Sequence, residues 1–226
     1  MVAAQSLDGV IRMDAREPHE EAGAIALVLR EVLETPERTA ALVTSDRTLA
    51  RRVTSALARW GVAIDDSAGV PLAETPPGAF LRHVVRAVHE HMSPIPLLAV
   101  LKHPVVGRMG AVAGPLERLV LRGPRPAEGF AGLRGAAERR REGEGDDDTA
   151  RNAEFWPEIL DAIDHLDGIS EPMVEAFTRP TMLLPELVRA HVELAEALAA
   201  TNSSPGADRL WAADAGEALA GFVAEL

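Results

Sequence analysis

The side chains in this chain that could do chemistry are few, and they are histidines, a run of aspartates and a scatter of arginines. His83, His89 and His91 lie close together in sequence, with Glu90 between the last two. On a helix His89 and His91 stand about 200° apart, so they cannot share a metal as an i, i+4 pair does, and the stretch reads as a solvated helix end. Asp146-Asp147-Asp148 has the composition of a metal or nuclease acid cluster. Nuclease acids, however, are held on fixed elements beside a supporting lysine in a dry pocket. This run follows Gly143 and Gly145 with no lysine near, and it reads as a mobile loop. Arg122, Arg125, Arg134, Arg139, Arg140 and Arg141 are candidate phosphate contacts. No aromatic residue interleaves with them, which argues against a base-stacking platform, and the competing reading is a solvated arm that offsets acids downstream. Ser6, Ser45, Ser67 and Ser93 lack a Gly-x-Ser-x-Gly elbow. Trp60, Trp211 and His191 read as packing residues, the histidine satisfied on an apolar stripe. There is no Gly-x-x-x-x-Gly-Lys-Ser/Thr phosphate loop and no Asp/Glu-x-Lys nuclease core.

Composition narrows the classes further. The chain has 226 residues, of which 47% are hydrophobic but only 4% aromatic, so its core must be aliphatic. Abundant Ala and Leu favour helix. The formal net charge of −12 argues against free nucleic-acid binding by the bulk of the chain, without excluding a local contact. With no cysteine there are no disulfides, thiolate metal sites, iron–sulfur clusters or Cys nucleophile. Met1 to Asp8 lacks the charged and apolar regions of a signal peptide, and no apolar run approaches the ~20 residues of a membrane span. A cytoplasmic location is the expectation.

The elements that must position these groups follow from periodicity and punctuation. Val10 to Asp14 reads as a short strand. Pro18 suits a first helical position, Glu20 and Glu21 favour the positive helix end, and Ile25, Leu29, Val32 and Leu33 make an apolar stripe that Thr35-Pro36 ends. Ala40 to Val43 reads as a buried strand. Thr44, Ser45 or Asp46 can cap a helix carrying Leu49, Val53, Leu57 and Trp60, closed by Gly61. Val62 to Asp65 is a candidate third strand. This alternation predicts right-handed crossovers and a small parallel sheet. From Pro76 onward the pattern is helical: Phe80, Leu81, Val84, Val85 and Val88 form one face, and Pro96 to Leu101 a second helix. Further helices are predicted over Ala153–Leu166, Thr181–Ala200 and Ala207–Leu226. Charge reverses along the way. Lys102 to Glu142 holds nine Lys/Arg against four Asp/Glu (+5), and Gly143 to Glu171 holds ten acids against Arg151 alone (−9).

The stretch from Glu20 to Gly107 resembles the start of the second RecA-like domain of superfamily 1 helicases of the UvrD type, and in detail the helicase–nuclease subunits of the AddB type. Glu21 fits the acidic opening position and Trp60-Gly61-Val62 the turn after the second helix. Leu72 to Leu81 and Leu97 to Pro104 resemble the passage into the helical insertion. The resemblance implies a partial RecA-like parallel sheet in an α/β part over residues 1–75. A predominantly helical, 2B-like insertion would follow over residues 76–226, with a flexible loop near 139–152 and a helix-rich chain overall. Where active members carry a phosphate-contacting arginine, this sequence has Thr44. A hydroxyl cannot supply that bidentate, charge-assisted contact, and Arg47 would lie three residues further, in the first helical turn.

The implied role is therefore non-catalytic: an inactive, DNA-handling scaffold within a larger subunit that processes double-strand breaks for recombinational repair. An AddA-like motor subunit and double- and single-stranded DNA would be its partners. ATP and Mg would serve the parent complex, with no cofactor or metal in this piece. Thr44 and Arg47, at the C-terminal end of the predicted strand, join Arg122, Arg125, Arg139, Arg140 and Arg141 as candidate DNA contacts. The alternative is a stand-alone α/β–helical protein-interaction domain with no DNA role, supported by the acidic charge.

Overall fold

The computed structural model describes residues 9–143 and 153–226, so Asp146-Asp147-Asp148 and Ser6 lie outside the described residues. The described chain falls into two compact units, divided between Gly69 and Val70.

The first unit is a pair of helices. Helix α1 spans Pro18–Leu33, with proline in its first turn beside Glu20 and Glu21. Helix α2 spans Arg47–Ala58, capped by Asp46, whose carboxylate accepts from the backbone N–H groups of Thr48 and Leu49 at 2.7 and 3.2 Å. Gly61, at φ 71°, closes α2: its N–H reaches Ala58 O at 3.0 Å while the Val62 N–H reaches Leu57 O at 3.1 Å. That pair of bonds is a Schellman closure, and it needs a left-handed residue that glycine adopts without strain. The core between the helices is small, built from Ala22, Ala26, Val53, Ala56 and Leu57.

The predicted parallel sheet is absent: among the described residues there is no strand at all. Val10–Asp14, Ala40–Val43 and Val62–Asp65 run as irregular backbone without ladder partners. Ile11 is 87% and Val43 94% exposed, so the apolar continuity that suggested buried strands is not matched by burial. The physical reason is that a strand is stabilised by its neighbours, whereas these are isolated runs of four or five residues. The apolar faces of α1 and α2 bury each other instead. Trp60 is corrected with them: it is 38% exposed, with the Arg30 guanidinium 4.9 Å above its ring.

The second unit is all-helical among the described residues. Leu72–Glu74 forms a 3₁₀ turn that leads into α3, Pro76–His89, whose N-cap Thr75 donates to Leu72 O at 2.6 Å. Helix α4 is Pro94–Leu101. A 3₁₀ turn at Arg108–Val112, the short α5 at Ala113–Leu116 and a π-helical turn at Glu117–Leu121 follow. Helix α6 is Gly129–Arg141, so Arg139, Arg140 and Arg141 sit in a last helical turn rather than in a loop. Helix α7, Phe155–Thr178, continues 12 residues beyond the predicted end at Leu166 and passes through Pro172. It persists because Ser170, Met173 and Ala176 continue its buried face against the rest of the unit.

Helix α8 is Leu184–Ala199. The predicted final helix is broken into α9, Gly206–Leu210, and α10, Ala213–Ala224. The break is held by the Trp211 indole N–H, which donates to Glu196 Oε1 at 2.6 Å. One core joins α3, α4, α6, α7 and α8, with Phe80, Leu101, Leu133, Ile159, Ile163 and Met173 among its fully buried members. A clasp ties the chain after α4 to the end of α8: Gly107 N–H reaches Leu198 O at 2.9 Å and Arg108 N–H reaches Ala200 O at 3.1 Å. Among the described residues no helix is long and apolar enough to cross a membrane.

Candidate nucleic-acid interface

The predicted contact residues fall in both units, and several are already occupied. In the first unit Thr44 Oγ1 accepts the Asp46 N–H at 3.0 Å, so this hydroxyl serves the turn that starts α2. With no strand before it, Thr44 does not stand at a sheet edge. Arg47 is clamped to the Asp66 carboxylate at 3.1 and 2.6 Å and also reaches Gly69 O at 3.1 Å. That guanidinium, with the Ala68 N–H, holds the Asp66 carboxyl below its usual pKa.

In the second unit Arg122 bonds Glu117 Oε1 at 3.0 Å, and Lys102 pairs with the same carboxylate. Lys102 first, then Arg122, lower the Glu117 pKa. Arg140 donates to the Arg122 carbonyl at 3.2 Å, which brings these two predicted residues together. Arg141 lies 3.5 Å from Glu142. Arg125 and Arg139 are exposed. Three consecutive residues on a helix fan over about 200°, so Arg139, Arg140 and Arg141 do not present one face.

The histidines are dispersed. His83 faces His103 with ring centroids 5.9 Å apart, and His89 faces Phe177 at 6.2 Å. Among the described residues no three His, Asp or Glu side chains converge as a metal set. His191 donates from Nε2 to Leu81 O at 2.9 Å, the satisfied role predicted for it, and burial lowers its pKa. His165 sits 2.7 Å from the Arg108 guanidinium, lowered by burial and then by that charge. These two border a cleft of about 530 Å³ whose rim also holds Glu154, Glu158 and Asp161. Cation and carboxylates together give it no single ligand sign.

One basic surface escaped the sequence reading. A groove of about 520 Å³ runs along α1 and α2. Its α2 wall carries Thr48, Arg52, Ser55 and Arg59, with Arg51 beside them. Ala22, Gly23 and Ala56, all small, also line it. His19, at the α1 edge, is 3.1 Å from Glu17. Residues 48, 52, 55 and 59 recur at intervals of four, three and four, one helical face about 130° round the helix from the stripe of Leu49, Val53 and Leu57. That spacing is the signal that could have found them.

No family model, curated protein or solved structure matches this chain.

Proposed function

We propose that this chain is a non-catalytic, helicase-like part of a helicase–nuclease subunit that processes DNA double-strand breaks for recombinational repair. The observation that carries the reading is the state of the position where active relatives of the UvrD type keep a phosphate-contacting arginine. Thr44 stands there, with its hydroxyl engaged in its own turn, and the nearest cation, Arg47, is engaged by Asp66. A chain that has lost its phosphate clamp suits guidance of DNA, with ATP and Mg handled by an AddA-like motor subunit in the cytoplasm. The correction to the fold leaves the resemblance resting on the order of Glu21, Trp60-Gly61-Val62, Leu72–Leu81 and Leu97–Pro104.

The net charge of −12 favours the other reading, a protein-interaction domain without a DNA role. One experiment separates the two. The open reading frame that contains this segment is co-expressed with an AddA-like motor subunit and assayed for co-elution and for ATP-dependent degradation of linear duplex DNA. Co-elution with degradation that is lost on deleting this segment is the expected result. A motor that elutes alone, or degradation indifferent to the deletion, refutes the proposal.

A further inference from the structure

We propose that the first unit is a two-fold dimerisation module, in which α1 of one chain lies on α2 of a second copy and Glu20 and Glu31 meet Arg52 and Arg59 across the groove.

The unit has little core of its own. Five residues, three of them alanine, fill the space between α1 and α2. Among the described residues nine large apolar side chains of the same unit stay exposed. A helix pair that buries so little apolar surface is marginal without a further partner. Helix α1 shows the same shortfall. Residues 22–29 carry no polar side chain, so α1 is apolar around its whole circumference. Such a helix is characteristically covered on more than one side. Ala22 and Ala26 are buried, yet Leu27 is 58% and Val28 48% exposed.

Charge selects the cover. Glu20, Gly23, Leu27 and Glu31 recur at intervals of three, four and four, about 125° round α1 from the line of Ala22 and Ala26. Gly23 lines the groove, so this acidic edge flanks it on one side. Thr48, Arg52, Ser55 and Arg59 line the other side, with no acid among them. Glu20, Leu27, Glu31, Arg52 and Arg59 are all exposed.

Arg30, near the end of α1, lies over Trp60, just past the end of α2, so the two helices run in the same direction. A two-fold axis can stack such a pair on its copy in two ways. An axis across the helices lays α1 on α1 and α2 on α2, with glutamate facing glutamate and arginine facing arginine. An axis along the helices lays α1 on α2 at both contacts. Glu31 is then level with Arg59, and Glu20 stands within about a turn of Arg52. Gly23 and Ser55 allow close approach, and Leu27 is enclosed. The second arrangement opposes unlike charges at every contact and closes as a dimer. An acidic foreign partner would answer the arginines and leave Glu20 and Glu31 unmatched, and a basic one would do the reverse. A copy of this chain answers both.

The test is sedimentation equilibrium of the full chain from about 1 to about 200 µM, since dimer stability depends on protomer concentration. Wild type is compared with R52E/R59E, with E20R/E31R, with an equimolar mixture of these two variants, and with Leu27→Asp. Each contact occurs twice in a two-fold dimer, so either charge reversal should weaken association on the order of 100-fold. Leu27→Asp should weaken it comparably. The mixture should restore dimer, because every contact between the two variants again opposes glutamate and arginine. That recovery also shows that both variants are folded, and circular dichroism checks the helices of Leu27→Asp.

A wild type that stays monomeric through the range overturns the proposal. So does a dimer indifferent to either charge reversal or to Leu27→Asp, or a mixture that remains monomeric. Assembly beyond the dimer overturns the closed two-fold. A monomer whose Leu27 and Val28 amides resist hydrogen exchange as strongly as Ala26 overturns it in favour of a cover supplied by the same chain.

Discussion

Replacing Gly107 with alanine should be among the most damaging single-methyl changes in the chain. A Cβ at this position would lie 1.9 Å from Ala200 O, 2.5 Å from the Ala200 carbonyl carbon and 2.6 Å from Ala199 O. All three are backbone atoms, so no side-chain rotation relieves the contact. The segment after α4 must move off the end of α8 by about 1 Å or more. That displacement breaks both clasp bonds, Gly107 N–H to Leu198 O and Arg108 N–H to Ala200 O. At about 0.5–1.5 kcal/mol each, their loss removes about 1–3 kcal/mol. The displaced packing adds an overpacking penalty of about 1–3 kcal/mol. A total near 3 kcal/mol is expected. With a urea m-value of about 2 kcal/mol/M, the midpoint of unfolding should fall by about 1.5 M. Urea titration followed by far-ultraviolet circular dichroism measures it. The double variant G107A/A200G serves as a control, because it removes the Ala200 methyl and leaves the obstructing carbonyl in place. A midpoint shift under about 0.3 M in G107A, or recovery in the double variant, would refute the steric argument.

Three further outcomes are expected. Asp46→Ala should destabilise the first unit by about 1 kcal/mol and speed hydrogen exchange at the start of α2, whereas Asp46→Asn, itself a good cap, should lose a few tenths; equal losses in the two variants would remove the capping role. Leu57→Ala, which empties a fully buried site in the small first core, should cost about 2–5 kcal/mol, read as loss of exchange protection in α1 and α2. Stability should decline as pH falls below about 6.5, because the pKa values of His191, His103 and His165 are all lowered by burial. The sign follows from proton counting: the unfolded chain binds protons at these sites first, so acid favours unfolding. Urea midpoints at pH 7.5 and 5.5 measure the effect, His191→Gln should shrink the difference, and a midpoint that rises toward pH 5.5 would contradict the assignment.

The helices were legible because their ends carry local signals. Asp46, Gly61 and Thr75 each mark a boundary through a bond made within a few residues, and Pro18 with Glu20 and Glu21 mark one through the fixed φ of proline and the helix dipole. The sheet was misread because a strand has no comparable local signature: Ala40–Val43 is apolar, yet what stabilises a strand is a neighbour that no window of sequence displays. The extension of α7 past Gly168 and Pro172 was hidden for the opposite reason. Local propensity disfavours helix there, and burial of Met173 and Ala176 overrides it. The break at Ala213, with φ 58° at a non-glycine residue, likewise depends on the reach of Trp211 to Glu196. At the candidate site, Thr44 and Arg47 drew notice through their place in a resemblance, and both proved engaged locally. Arg52 and Arg59 were present as a four–three–four spacing, but the apolar stripe on the same helix claimed the reading.

The separation of the tryptophans makes this chain its own optical reporter. It has three tryptophans and no tyrosine, so its ultraviolet emission comes from indole alone. Trp60 belongs to the first unit, half-open to water beneath the Arg30 guanidinium. Trp156, only 5% exposed, lies in the core of the second, and Trp211 is tethered there by Glu196. Water around Trp60 should shift its emission to longer wavelength than that of enclosed Trp156. Cationic Arg30 above the ring also makes Trp60 sensitive to any polyanion that draws the arginine away. Wavelength-resolved fluorescence can therefore follow the melting of each unit in one sample, without a dye.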